Sequence, residues 1–252
     1  ILLAAGKSSR IYNKIKKNKC LININQKSLI RNIIDSAYKN KIEKIDIITG
    51  FKPNNIKKDL KNYKKIRFIN NSKYSSTDMV YSALLGLKKS KIDTIISYTD
   101  IIYTDKLFKI LLSNSKKFIT IPYIKNWKKI WKKRKKDIFD DAETFKVDSN
   151  SNLKEIGNVI DENNLKKING QFLGVIFIPK NYIKTIIKKY KSFNNKNLQF
   201  TQFINRLVKD KIKIKCVEYK DFWYEFDDYE DLTNFKKIKN INLKKKFKRI
   251  NY

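Results

Sequence analysis

The N-terminal segment Ile1-Leu2-Leu3-Ala4-Ala5-Gly6-Lys7-Ser8-Ser9-Arg10 sets five apolar residues directly ahead of a glycine, two hydroxyls and two cations. A buried strand running into a glycine is how a parallel α/β sheet presents a loop at its carboxyl edge. The backbone N–H groups of such a loop face phosphate. Lys7 and Arg10 add positive charge. Two well-known phosphate loops do not fit. A Walker loop needs a glycine where Ile1 stands, and the dinucleotide pattern needs a second glycine close to Gly6.

The chain downstream alternates strand-like and helix-like segments. Strands are expected at Ile45–Thr49, Ile66–Ile69, Thr94–Tyr98 and Phe118–Tyr123. Helices are expected at Leu29–Tyr38, from Asn54 or Asn55 to Leu60, at Asp78–Leu87 and at Thr104–Leu112. That alternation indicates an α/β domain of Rossmann-like winding around a mixed, mostly parallel central sheet. The second half reads differently. Lys125–Lys136 is rich in Trp and Lys, and short strands at Glu143–Val147 and Leu153–Ile156 flank a turn. Phe172–Ile178 reads as one strong strand stopped by Pro179. Helices at Tyr182–Tyr190 and Phe200–Val208, a strand at Ile212–Val217 and a helix at Tyr229–Ile238 follow. We read one domain over 1–239, with an inserted region at about 124–178 and a basic tail over 240–252.

The 252 residues include no histidine, two cysteines, and 58 Lys and Arg against 24 Asp and Glu, a net charge of +34. Without histidine, a Ser-His-Asp or Cys-His nucleophile is excluded, and a zinc site would need both cysteines plus carboxylates. Two cysteines make no disulfide framework, so a reduced, cytoplasmic protein is expected. No apolar run approaches the ~20 residues of a membrane span, and the start has no signal-peptide character. The chain opens inside a strand without a Met, so upstream residues are expected. Lysine recurs along the whole sequence rather than in one block. It therefore reads as compositional bias that attracts anions, and less well as a nucleic-acid-binding face.

Carboxylates mark two further points. Ser97-Tyr98-Thr99-Asp100 ends the fourth strand, where an open α/β sheet binds ligands. Phe222–Leu232 (FWYEFDDYEDL) concentrates Glu225, Asp227, Asp228, Glu230 and Asp231 in a basic chain. Asp228, Glu230 and Asp231 suit a helix N-terminus. Asp227 then remains, with Asp100, to ligate Mg²⁺ together with phosphate oxygens and water.

The segment LAAGKSSR, with Lys19 and CLININQKSLIRNII behind it, resembles the nucleotidyltransferase signature of a Leu-Ala-Ala-Gly-x-x-x-Arg loop, a Pro-Lys pair, a strand and a Leu-Ile helix start. Asn18 replaces the proline; Lys19 is in register. The ordered set NWKKIWKKR (126–134), DDAETF (140–145), LKEIG (153–157), GQFLG (170–174), LQFTQFINRLV (198–208) and WYEFDDYEDL is similar to the cytidylyltransferases that activate phosphocholine or 2-aminoethylphosphonate. This resemblance runs from Leu2 to about Leu232. It implies a glycosyltransferase-A-like nucleotidyltransferase fold. It also implies an NTP site made of Leu3, Ala4, Ala5, Gly6, Lys7, Ser8, Ser9, Arg10 and Lys19, with Thr77, Asp78 and Ser82 near the base and sugar. Arg10 and Lys19 would hold the phosphates and act in catalysis, and CTP is the implied nucleotide.

For the acceptor, a cationic head favours aromatic faces and carboxylates. Trp127, Trp131 and Trp223 (with Tyr224) offer faces, Asp141, Glu143 and Glu225 offer charge, and Arg134 offers a grip on phosphate or phosphonate. A phosphate or phosphonate nucleophile is already ionised, so in-line positioning and charge neutralisation replace a general base. The expected reaction is Mg²⁺-dependent transfer of CMP from CTP to a small anionic acceptor, with release of pyrophosphate. The alternatives are a sugar-1-phosphate nucleotidyltransferase and, in another class, a basic nucleic-acid-binding protein.

Overall fold

The computed structural model describes residues 1–113, 117–134, 137–163, 165–193 and 198–237. The expected basic tail over 240–252 lies outside the described residues. The core is an eight-stranded sheet. Its path runs Gln171–Phe172, Ile119–Ile124, Val175–Ile178, Thr94–Tyr98, Leu2–Ala4, Ile45–Thr49, Ile66–Asn70, with Ile214–Glu218 paired to Ile119–Ile124. Leu2–Ala4 lies parallel to both of its neighbours, with Leu3 opposite Ile48 on one side and Tyr98 on the other. The Val175–Ile178 strand runs antiparallel to Thr94–Tyr98. The sheet is therefore mixed, with a parallel half at the N-terminal end of the chain.

This register positions the chemistry. Leu2–Ala4 and Thr94–Tyr98 are parallel neighbours, so their carboxyl ends emerge side by side. The Gly6 loop and Asp100 thus share one edge of the sheet. The central strands Leu2–Ala4 and Val175–Ile178 are buried on both faces, whereas the edge strand Ile66–Asn70 exposes Arg67 and Asn70. Helix Leu29–Lys39 closes one face with Leu29, Ile30, Ile33, Ile34 and Ala37 buried at helical spacing, and Ser28 caps it by accepting from the Arg31 N–H. Cys20 and Cys216 are both free and buried. Among the described residues, no helix is long and apolar enough to cross a membrane.

Four details differ from the sequence expectations. The strong strand expected at Phe172–Ile178 is two strands, Gln171–Phe172 and Val175–Ile178. They are separated at Gly174, whose φ of +75° breaks the extended run. The helix expected from Asn54 or Asn55 begins at Pro53 in the first turn, behind a left-handed Lys52, so neither asparagine caps it. The helix expected from Thr104 starts at Lys106, because Ile101–Tyr103 forms a strand. That strand pairs antiparallel with Trp223–Glu225, and neither three-residue piece is long enough to show a period in sequence. The Trp- and Lys-rich stretch folds as helix Trp127–Arg134, with Trp127, Trp131 and Arg134 on its buried face.

Gly174 also lies against Tyr98, whose N–H donates to its carbonyl at 2.8 Å. A Cβ at this position would come within 2.7 Å of Tyr98 Cδ2. Gly174→Ala is expected to lower stability by more than about 1 kcal/mol, through the positive φ and the clash together. Urea unfolding against the parent chain measures it.

Candidate active site

One cleft opens at the carboxyl edge of the parallel strands. Its lining includes Leu3, Ala4, Ala5, Gly6, Ser8, Ser9, Arg10 and Lys19 from the first loop region, Thr77, Asp78 and Ser82 from the start of helix Met79–Leu87, and Asp100 and Asp227. Of the residues expected to bind nucleotide, only Lys7 is outside the lining, and it is exposed. No atom lies within 4 Å of the place a Gly6 Cβ would occupy, so the backbone there is open to a ligand's approach.

The loop is held by hydrogen bonds where the signature has proline. Asn18 is buried and donates from Nδ2 to the Phe51 carbonyl at 2.8 Å. The Lys19 N–H donates to Ser8 Oγ at 2.9 Å. Lys19 is thereby fixed beside the glycine loop, and its ammonium reaches Asp227 Oδ1 at 2.6 Å and Asp100 Oδ2 at 3.4 Å. Arg10 pairs with the other oxygen of Asp227. Two carboxylates from segments far apart in sequence therefore meet two cations at one point. Their oxygens are the hard donors that Mg²⁺ prefers. Among the described residues no group of three or more His, Cys, Asp or Glu could hold a metal ion, and Asp100 and Asp227 are the two carboxylates that meet Lys19 at this point.

Asp227 is placed by its own helix. Asp228 precedes helix Tyr229–Lys237 and accepts from the Asp231 N–H at 2.9 Å. In return Asp231 Oδ2 accepts from the N–H groups of Asp228 at 3.3 Å and Asp227 at 2.8 Å. This reciprocal cap confirms the helix-terminal roles expected of Asp228 and Asp231. Across the strand pair, the Phe226 N–H donates to the Asp100 carbonyl at 2.8 Å and ties the two metal-ligand candidates together.

Thr77 and Ser82 share an amide: Asn71 Nδ2 donates to Thr77 Oγ1 at 3.2 Å and Ser82 Oγ at 3.0 Å. Asp78 lines the cleft, and its carboxylate also caps helix Met79–Leu87 at the Tyr81 N–H and anchors the Leu198 N–H, at 2.7 and 2.9 Å. Burial raises its pKa, against the lowering pull of those amides.

The acceptor residues divide into two groups. Trp127, Trp131 and Trp223 are core residues, 1%, 3% and 2% exposed, and do not form an open aromatic cage. Trp131 and Trp223 stack at 5.5 Å, and Trp223 Nε1 donates to the Leu173 carbonyl. The cation these rings hold is the protein's own. The Arg134 guanidinium lies 4.9 Å from the centre of the Trp131 ring, 5.6 Å from Trp223 and 5.8 Å from Tyr224. Arg134 is itself fully buried and paired with Asp231 at 3.1 Å, Glu225 at 3.2 Å and Asp141 at 3.3 Å. Enclosed by three carboxylates, it does not present a grip for an acceptor phosphate. Asp141 and Glu225 keep about a fifth of their side chains exposed. Burial pushes Glu225 up to about 7 against the pull of Arg134, with the charges of Asp100 and Asp141 adding to the rise. Glu143 is also raised by burial, and accepts from Thr201 Oγ1 at 3.1 Å.

The sequence reading missed Cys20, Tyr74, Met79, Tyr98 and Thr99 in the cleft wall, and the pairing of the helix-capping Asp231 with Arg134. Tyr98 and Thr99 sit inside the Ser97–Asp100 motif and were legible as neighbours of Asp100. Tyr74 belongs to an irregular loop with no pattern to mark it. Tyr98 packs edge-on against Phe172 and Phe200.

Two outcomes follow from this geometry. Arg134→Met leaves the fully buried Asp231 without its counter-charge and should cost about 3–5 kcal/mol in chemical denaturation. Glu225 binds its proton more tightly in the folded chain than in the unfolded one, so its contribution to stability is full below the ordinary glutamate range and is lost as pH rises through about 7. Melting curves from pH 5 to 8 should show that loss, and Glu225→Gln should flatten it.

Residues 1–131 match the MobA-like NTP transferase domain. Over 251 aligned residues, 92% of this chain and 96% of the relative, the sequence is 31% identical to a CTP:phosphoglutamine cytidylyltransferase of Campylobacter jejuni. The structure of the inositol-1-phosphate CTP transferase from T. maritima superposes with a TM-score of 0.78 at 18% identity, covering 99% of this chain and 94% of that one. The CTP:phosphocholine cytidylyltransferase of Streptococcus pneumoniae superposes with a TM-score of 0.71 at 18% identity, covering 95% and 97%. These two likenesses establish the fold, a glycosyltransferase-A-like nucleotidyltransferase fold. With the matched domain spanning over half the chain and a relative aligned across nearly all of it, the chain belongs to the MobA-like NTP transferase family and is a nucleotidyltransferase.

Proposed function

We propose that this nucleotidyltransferase transfers CMP from CTP to a small acceptor that carries a phosphate or phosphonate and an amino or ammonium group, with Mg²⁺ bound and pyrophosphate released. The observation that carries the reading is the convergence of the Gly6 loop, Lys19, Arg10, Asp100 and Asp227 on one cleft. The Gly6 loop cradles the triphosphate with backbone N–H groups. Lys19 and Arg10 neutralise charge on the phosphate oxygens as pyrophosphate leaves. Asp100 and Asp227 would hold Mg²⁺, which would supply Lewis-acid charge stabilisation at the phosphate. The acceptor's phosphate or phosphonate oxygen attacks in line and, being ionised, needs no base, which suits a chain without histidine.

The cytidine assignment follows the relatives, whose names specify CTP. Support for an amine-bearing acceptor comes from the negative charge near Tyr98, a cleft residue within electrostatic reach of Glu143, Glu225 and Asp100, and from Asp141 and Glu225, which stay about a fifth exposed while paired with Arg134. Phosphocholine, 2-aminoethylphosphonate and phosphoglutamine each supply a cationic group next to a phosphorus oxyanion. Trp131 and Trp223 serve these carboxylates from behind by fixing Arg134, and Trp127 packs edge-on against Trp131.

Pyrophosphate release, measured for each NTP against these acceptors and a sugar-1-phosphate, with Mg²⁺ and with EDTA, tests the reading. Metal-dependent release with CTP and one amine-bearing acceptor is the expected result. Release with the sugar-1-phosphate alone would move the acceptor assignment, and no release with any pair would reject the activity. Asp100→Asn should lower turnover by at least about 10²-fold with an unchanged circular dichroism spectrum, and near-parental turnover would remove Asp100 from the site.

A further inference from the structure

We propose that Lys19 is a built-in competitor for the divalent cation, so that metal is admitted together with the triphosphate and not ahead of it. The inference rests on the nucleotidyltransferase reading of the cleft and assigns Lys19 a second task there. Its ammonium lies between the two carboxylates that would ligate the metal, 2.6 Å from Asp227 Oδ1 and 3.4 Å from Asp100 Oδ2. The three side chains are largely enclosed, at 14% exposure for Lys19, 13% for Asp227 and 24% for Asp100, so solvent screens their attraction only in part. Arg10 adds a positive charge on Asp227, but at 67% exposure that contact is well screened.

The charges make the exclusion explicit. Asp100 and Asp227 carry two negative charges, and Lys19 with Arg10 carry two positive ones, so the cluster is neutral as it stands. A divalent cation added to the same oxygens would meet an ammonium already in contact with them. Either the metal stays out or the lysine leaves. A triphosphate resolves the conflict, because its oxygens offer the ammonium a new partner. The Lys19 backbone N–H is already fixed to Ser8 Oγ at 2.9 Å in the phosphate-facing loop. The side chain can therefore turn from carboxylate to phosphate through its own rotamers while the main chain stays in place.

The test is Mn²⁺ binding to the full chain without nucleotide, followed by electron paramagnetic resonance of the free ion, for the parent, Lys19→Met and Lys19→Gln. Both variants are expected to bind Mn²⁺ more than about tenfold tighter than the parent. Adding Asp100→Asn to Lys19→Met should abolish the gain, and Arg10→Met should gain far less. General damage to the site weakens metal binding, so a gain in affinity separates competition from disruption. Unchanged or weaker Mn²⁺ affinity in both Lys19 variants overturns the proposal, as does a gain that survives Asp100→Asn. Adding CTP should tighten Mn²⁺ binding in the parent and do so less in Lys19→Met. A failure of pyrophosphate release would reject the enzymatic reading while leaving the nucleotide-free comparison intact, so the two can fail separately.

Discussion

The site depends on a very small piece of sheet. Ile101–Tyr103 pairs with Trp223–Glu225, and just past the pair the Phe226 N–H reaches the Asp100 carbonyl. This contact brings Asp227 to Asp100 and closes the second half of the chain over the first. Without it the parallel strands would still present the Gly6 loop and Asp100 at one edge, but only one of the two carboxylates. The pair is too short to hold itself, since isolated short strands are marginal in water. It is held by what packs behind it: the Trp131–Trp223 stack, the Trp223 indole bond to Leu173, and the Arg134 guanidinium bridging Glu225 and Asp231.

That arrangement explains which parts were readable from sequence. The nucleotide half was legible because its signals are local. A strand ending in glycine, a strand ending in aspartate and a lysine in register with a signature all report on their own neighbourhood. The roles of Trp127, Trp131, Trp223 and Arg134 were not, because whether a tryptophan offers its face to a ligand or to the core is decided by tertiary packing. The sequence reading put an acceptor's cation on these aromatic faces and Arg134 on its phosphate. The cation proved to be Arg134. The break at Gly174 escaped for a related reason: an apolar run with one glycine reads as a strand until Tyr98 is seen against it.

Proline in the signature is a covalent way to stiffen a loop, and Asn18 does similar work through its side-chain bond to Phe51. The bond links the Lys19 region to the loop after Ile45–Thr49, so the phosphate-facing segment is braced against a neighbouring strand. The net charge of +34 is compatible with the same chemistry. It supplies a long-range field for anions.

Arg134 stands just beyond the segment matched to the shared domain, which ends at residue 131. It joins the strand pair and helix Tyr229–Lys237 to the helix at the end of the matched half, and under the proposed function it would stand between nucleotide handling and acceptor choice. A joint made of one buried cation and three carboxylates from two segments, Asp141 in one and Glu225 with Asp231 in the other, is permissive to remodelling. Loops between its anchoring points can be rewritten, lengthened or exchanged, so long as the anchors return to the same guanidinium. New acceptors can then be explored by changing the second half alone, while the machinery that activates the nucleotide is left undisturbed.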